Sequence, residues 1–470
     1  MNHSKTAISA ISRRQFLGNA ATALAAFTIV PRHVLGGPGY VSPSDKLNIA
    51  CVGVGGRGRA DLFSVRSENI VAVCDVDDEQ MASTLNYKLS DEGQAQESAE
   101  ITELLGRLKN AKKYRDYRVM LDENQKSIDA VVVATPDHTH AVIAMAAIKM
   151  GKHVYCEKPL THSIGEARAL AKAAREAKVI TQMGNQGHAS EEIRLIKEWI
   201  VDGAIGNVRE AHCWTNRPIW PQGIDRPEAI PSVPSSLDWN LWLGPAKFRP
   251  YHPAYAPFAW RGWWDFGTGS LGDMGAHIFD VPFWALDLGS PTSVMATCTP
   301  FNAETYPLAE VVRYEFPARG KMPAIKLTWW DGGLMPSRPS DLEEGRRMGD
   351  IDGGVLLLGD KGTIMCGTYA KNARLIPESK MQAYKRPAKT IPRSPGIHEE
   401  WIACCKNGSP ACSNFDYAAP LTEAMLLANF AVRFSEKQTP LMWDGANMKV
   451  TNMPEADEFV NPAYRTGWSL

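Results

Sequence analysis

Residues 50–62, ACVGVGGRGRADL, set Gly53, Gly55 and Gly58 directly after an apolar run that reads as a buried strand. The surroundings give this spacing its weight. Residues 46–54 read as a strand, 59–67 as a helix and 69–77 as a second strand, and Asp75 closes the second strand roughly 20 residues after the first glycine. In a dinucleotide-binding βαβ unit, Gly53 permits the tight turn, Gly55 admits a pyrophosphate and Gly58 lets the helix pack on the strand. Free N–H groups at the helix start, around Gly56 and Arg57, then bind the anion. Asp75 accepts from the adenosine ribose hydroxyls, and Asp77 and Asp78 add negative charge where a 2′-phosphate would sit. NAD is therefore favoured over NADP, with Arg57 and Arg59 as the two cations that keep NADP open. The competing reading is a glycine turn in an ordinary α/β protein, with Asp75 a solvated loop residue.

The chain is 470 residues long and 44% hydrophobic, more than one core usually holds, so two domains are expected. Lys plus Arg (51) nearly cancel Asp plus Glu (52), which leaves no field for a nucleic-acid backbone. Nine cysteines without a CxxC pair argue against a disulfide framework and a structural zinc site. That usage suits folding in a reducing compartment. Yet residues 12–30, SRRQFLGNAATALAAFTIV, carry paired arginines before an uncharged apolar stretch that falls short of the ~20 residues of a membrane span. They read as a twin-arginine export signal, a route for proteins that fold before export. Residues 1–37 are assigned to the signal and 38–45 to a flexible joint. The expected destination is the periplasm or the medium, with the twin-arginine machinery as a partner and no stable membrane span after processing.

Further on, ATPDHTH (134–140) and GKHVYCEKPL (151–160) complete a pattern that, together with the glycine loop, resembles the Gfo/Idh/MocA oxidoreductase family. The resemblance implies a Rossmann domain over 46–162 and an α/β domain over 163–440 with an open, mainly antiparallel sheet, then a tail over 441–470. It also implies a dimer or tetramer. At the cofactor it points to Thr135, Pro136, His140, Glu157 and Lys158, with Asn185 at the nicotinamide ribose. The residues agree with that outline. Ser163 and Glu166 form a capping-box pattern ahead of an amphipathic helix, and later β-rich runs include a hairpin turning on 359–362.

Lys158 is similar to the lysine with which family members hold the substrate hydroxyl and assist its proton transfer. In GTGSLGDMGAHIFD (267–280), Asp273 and His277 stand four apart and share one helix face. The resemblance makes His277 the general acid/base and Asp273 the residue that orients the sugar or the histidine. A divalent-metal site with His188 as third ligand and a plain helix cap are the alternatives. Seven of the fourteen tryptophans fall within 214–264, which suggests a carbohydrate stacked on aromatic faces, with core packing the equal competitor. His188, Arg217, Trp220, Arg261 and Trp264 are the candidate substrate contacts. Outside the cytoplasm there is no NAD pool, so the cofactor is expected to stay bound and to return to its starting state each cycle. A sugar or glycoside oxidoreductase fits, as does an NAD-dependent glycosidase that oxidises, eliminates, hydrates and reduces. From another class, a sugar sensor that has lost turnover remains open.

Overall fold

The computed structural model describes residues 45–88 and 95–470; the expected export signal lies outside them. The apolar run after Leu47 becomes β1 (Asn48–Val52), and Ile49, Ala50, Cys51 and Val52 are all buried, as a strand covered on both faces must be. Around it β2 (Asn69–Cys74), β3 (Lys112–Tyr114), β4 (Ala130–Val133), β5 (His153–Cys156) and β6 (Thr181–Met183) pair in parallel in the order β3-β2-β1-β4-β5-β6. Val52 pairs with Val133, and Val133 with Cys156. This register places the residues after three strand ends, Gly53, Thr135 and Glu157–Lys158, along one carboxyl edge, where ligands of such sheets bind. The sixth strand lies beyond residue 162, at the start of the TQMGNQ run (181–186).

The second sheet has nine strands: β7 (Val208–Thr215), β8 (Ser293–Cys298), β9 (Glu310–Phe316), β10 (Ile325–Trp330), β11 (Gly353–Gly359), β12 (Gly362–Gly367), β13 (Arg374–Ile376), β14 (Leu441–Asp444) and β15 (Lys449–Val450). Its order is β13-β12-β11-β7-β10-β9-β8-β14-β15, and only the β7–β10 pairing is parallel. The fold class is therefore the expected one. The hairpin turns where the glycines of 359–362 set it. The apolar helix Phe415–Arg433 packs between this sheet and the helix Ile164–Ala177, joining both halves in one continuous core. The capping box forms: Ser163 Oγ accepts from Glu166 N while Glu166 returns a hydrogen bond to Ser163 N.

One helix crosses back. Ile397–Asn407, far along the chain, packs Ile397, Trp401 and Ile402 into the core behind β1 and β5. All nine cysteines stand as free thiols. No helix among the described residues is long and apolar enough to cross a membrane.

The glycine loop is fixed by backbone contact. Gly53 has φ +76°, and a Cβ there would stand 2.6 Å from the Ala134 carbonyl oxygen. A Cβ at Gly58 would stand 1.8 Å from the Gly53 carbonyl oxygen, so helix and turn must separate to admit it. Gly58→Ala is expected to cost about 2–3 kcal/mol in chemical denaturation, whereas Gly106→Ala, on an exposed helix position with open space around it, should gain about 0.5–1 kcal/mol.

Candidate active site

The carboxyl edge of the first sheet opens into a cavity of about 760 Å³, walled on the far side by residues of the second half. At one end lies the start of the helix Gly56–Ser64. Its N-cap is Gly55, so no side chain satisfies the first N–H groups. A Cβ at Gly56 would meet nothing within 4 Å, while one at Gly55 would strike the Gln80 amide at 2.4 Å. Both glycines line the cavity; the approach to the backbone is open at Gly56, while a side chain at Gly55 is excluded by Gln80 packed against it. Asp75 accepts from Val54 N at 2.9 Å and from Asp77 N at 3.0 Å. Burial, outweighing those hydrogen bonds, pushes its carboxyl up to about 6.

Arg57 is not available to a 2′-phosphate. Its Nε donates to Glu157 Oε1 at 3.0 Å and an Nη pairs with Asp61 at 2.7 Å. Arg59 turns instead to Ser83 and the ring of Tyr87. Glu157 also accepts from Gln186 Nε2 at 2.9 Å, and burial raises its carboxyl from the usual range. Beside Gln186, Asn185 is fully buried, and neither atom of its amide has a hydrogen-bond partner among the described residues. Asn185 does not line the cavity, so the structure does not bring it to the nicotinamide ribose position expected for it. The free helix N-terminus and the open face of Gly56 fit a dinucleotide whose pyrophosphate they would hold.

At the other end Lys158, after β5, meets the helix Gly269–Ile278. Its Nζ donates to Asp273 Oδ1 and to the Asp273 carbonyl oxygen, each at 2.8 Å. Arg261 lies 3.5 Å from the same carboxylate oxygen. Burial alone would raise Asp273, but Lys158 and Arg261 outweigh it and hold the carboxyl down at about 2. One turn on, His277 lines the cavity, buried, with the ring of Tyr369 at 4.5 Å between centroids. Burial, and then the Lys158 ammonium, keep the imidazole well below its usual value, so it is neutral and open to a proton. Its Nδ1 has no partner among the described residues. The start of this helix is tied to the first half where Thr268 Oγ1 donates to Asp137 Oδ2 at 2.6 Å.

The other expected site residues divide. Thr135, Pro136, Arg217 and Arg261 line the cavity, Arg217 paired with Asp352 at 3.1 Å. His140 does not: it is buried with one ring nitrogen 2.7 Å from the Thr135 carbonyl and the other 2.8 Å from that of Pro159, so it ties two site loops together. Gly58 is likewise buried beneath the loop. His188 pairs its Nδ1 with Asp280 at 3.0 Å and packs its ring on Tyr417 and Trp284, and it does not join Asp273 and His277 in a set of metal ligands. Among the described residues no group of His, Cys, Asp and Glu could hold a metal ion. Trp220 donates to Gln222 and lies behind Arg261. Trp264 is stacked on Tyr306 and donates to the Asn302 carbonyl, outside this cavity. Most of the tryptophan run forms a core of its own: Trp239 stacks on Trp242 at 4.7 Å, with Trp260 and Trp263 packed around Tyr255 and Phe266. Only Trp242 and Trp260 of the run reach the cavity wall.

Tyr369, Gln186 and Trp468 are among the lining residues that escaped the sequence reading. Tyr369 sits at φ +61° beside His277, held by Gly187, where a Cβ would come within 3.0 Å of the Tyr369 Cα. The small residue in "GNQGH" was the available signal. Gln186 anchors Glu157, and Trp468 comes from the last residues of the chain, where no motif marks it.

Fold and site together define a dinucleotide-binding α/β protein of the oxidoreductase type. Two descriptions, "Oxidoreductase family, NAD-binding Rossmann fold" and "Oxidoreductase family, C-terminal alpha/beta domain", match residues 47–185 and 207–317. The chain belongs to the Gfo/Idh/MocA family. It is 27% identical over 186 residues to levoglucosan dehydrogenase of Pseudarthrobacter phenanthrenivorans (39% of this chain, 40% of that protein) and 37% identical over 140 residues to inositol 2-dehydrogenase of Rhodococcus jostii (29% and 38%). The chain thus spans about two fifths of the length of these curated relatives. The WlbA dehydrogenase from Bordetella pertussis, solved with NADH and UDP-GlcNAcA, has a similar fold, with a TM-score of 0.53 at 19% identity over 85% of this chain and 99% of that one.

Because Asp75 is ionised only above about pH 6, NAD affinity measured by calorimetry should be flat above neutrality. Below that pH it should weaken by up to about tenfold per unit. Asp75→Asn should remove this dependence and narrow the preference for NAD over NADP.

Proposed function

We propose that this protein is an exported oxidoreductase that takes hydrogen from a hydroxyl-bearing carbon of a sugar or glycoside, using an NAD that stays bound. What carries the reading is one cavity that holds the glycine loop and Asp75 at one end and Lys158, Asp273 and a neutral His277 at the other. The related proteins named levoglucosan and inositol dehydrogenase support a carbohydrate or polyol substrate.

When bound, NAD accepts the hydride from the carbinol carbon. The chain's own residues do the rest. Lys158, fixed by two hydrogen bonds to Asp273, presents its remaining N–H to the substrate oxygen and stabilises negative charge developing there. His277 takes the hydroxyl proton. Asp273 stays ionised, so its charge holds both Lys158 and Arg261 in place and favours the imidazolium that forms. Retention of the cofactor follows from export: beyond the cytoplasm a released NADH is not replaced, so a second substrate must return the hydride.

Purified protein is expected to carry the dinucleotide through gel filtration, and a panel of sugars should switch absorbance near that of reduced nicotinamide on and off. Release of an aglycone without net spectral change would mark a redox-neutral glycosidase instead, and a bound spectrum that no sugar alters would mark a sensor. Lys158→Met and His277→Ala should each lower kcat by about 10²–10⁴-fold with the dinucleotide still bound; loss of nucleotide along with activity would overturn the assignment. The neutral His277 gives a pH profile of defined sign. The base form persists as pH falls through 6.5, so the oxidation rate should hold its plateau there and decline only in stronger acid. Replacing Arg13 and Arg14 by lysine should leave the protein in the cytoplasm.

A further inference from the structure

A second cavity, of about 300 Å³, lies on the other side of the catalytic helix's entry segment. Its most unusual lining group is Arg433, at the end of the helix Phe415–Arg433. The guanidinium is sandwiched between the ring of Trp264 at 3.8 Å and that of Phe459 at 4.5 Å. Among the described residues it forms no ion pair and no hydrogen bond, and burial pulls its basicity below the usual value although Asp265 and Glu458 lie close enough to oppose this. Arginine keeps its charge in a protein, so a half-buried, aromatic-clamped guanidinium with idle N–H groups is left at a cost that an anion would remove.

The acidic groups of the cavity are already engaged. Glu166 accepts from His162 N, Ser163 N and the Tyr464 hydroxyl, and Asp265 pairs with Arg249. The second cation at the mouth, Lys247, is exposed and without a partner among the described residues. Two cations without a partner among the described residues, two lining carboxylates that are both already bonded, and an aromatic wall of Trp264, Phe430 and Phe459 make a receptor for one kind of molecule, with Glu458 off the wall and turned to solvent. We propose that this cavity binds a small organic anion, an apolar body bearing a carboxylate or phosphate group that Arg433 holds in plane while the rings cover the body.

The site bears directly on the catalytic helix. His162 and Tyr306, both on its wall, contact the Gly267 carbonyl at 3.1 Å and 3.0 Å, one residue before the Thr268 that anchors the helix of Asp273 and His277. The proposal does not rest on the sugar chemistry above, since it concerns a different cavity and is read by binding alone.

Benzoate, a flat apolar carboxylate of the right size, is the probe, with neutral benzamide as its control, titrated into the purified protein loaded with NAD and followed by calorimetry and tryptophan fluorescence. Saturable one-to-one binding of benzoate and none of benzamide is expected, weakened about tenfold or more in Arg433→Met. Lys247→Glu, at an exposed position, should weaken it several-fold and decides the matter if the first variant fails to fold. Displacement by inorganic phosphate but not acetate would assign the anionic group to a phosphate ester, and the reverse to a carboxylate. Absence of saturable benzoate binding, equal binding of benzamide, or binding unchanged in Lys247→Glu and in any folded Arg433→Met would overturn the proposal.

Discussion

The ion pair between Lys158 and Asp273 is the constraint on which the site depends. Lys158 follows β5 in the first sheet, and Asp273 lies on a helix that reaches it from more than a hundred residues later. With side chains about 15% and 14% exposed, both groups are largely withdrawn from water; removing Asp273 would leave the lysine uncompensated at a cost of about 3–5 kcal/mol, whereas without Lys158 the carboxylate would still face Arg261. The pair therefore contributes orientation more than net stability. It fixes the lysine's remaining N–H and, through the helix, the height of His277 above the sheet edge. Arg261, drawn to the same carboxylate, closes the third side.

Behind this pair lies a second layer of buried charge that keeps the cofactor end rigid. Arg57 joins Glu157 and Asp61, and His398 reaches Asp61 at 3.1 Å from the helix Ile397–Asn407 while its ring stacks on Tyr155. An arginine adjacent to a phosphate-binding loop is thus neutralised by the protein before any ligand arrives, which is why the glycine loop carries little free positive charge. Together with Asp75, that leaves the adenosine end hostile to a third phosphate. The remote helix matters here because a histidine nearly 340 positions after Asp61 completes the cluster.

Local physical rules wrote much of this plainly. The Gly53 turn, the Gly58 contact and the Ser163–Glu166 capping box each depend on neighbours within a few residues or on one strand pairing, so short spacing betrays them. The same holds for Asp273 and His277, one helical turn apart. The aromatic residues were not legible in that way. Trp264 and Trp220 look like sugar platforms in a linear string, yet large flat side chains serve a core as readily as a ligand, and burial sent most of the run into a cluster around Phe266. His188 resembles a ligand until Asp280 claims it. Tyr369 and Trp468 carry no local mark, because their places come from which strand ends and chain ends meet at the cavity.

By itself the sequence determined the βαβ unit with its dinucleotide loop, the acidic end of β2, the family, and the three polar residues, Lys158, Asp273 and His277, that meet in the cavity. These follow from backbone sterics and helical periodicity, which act over short stretches. Only the tertiary structure decided that Lys158 is paired, that His277 is neutral, that Arg57 is spoken for, and that Arg433 stands in a cavity of its own, unpaired among the described residues. Each of those is a balance of burial against the nearest charge, and neither quantity exists until segments distant in the chain are packed together.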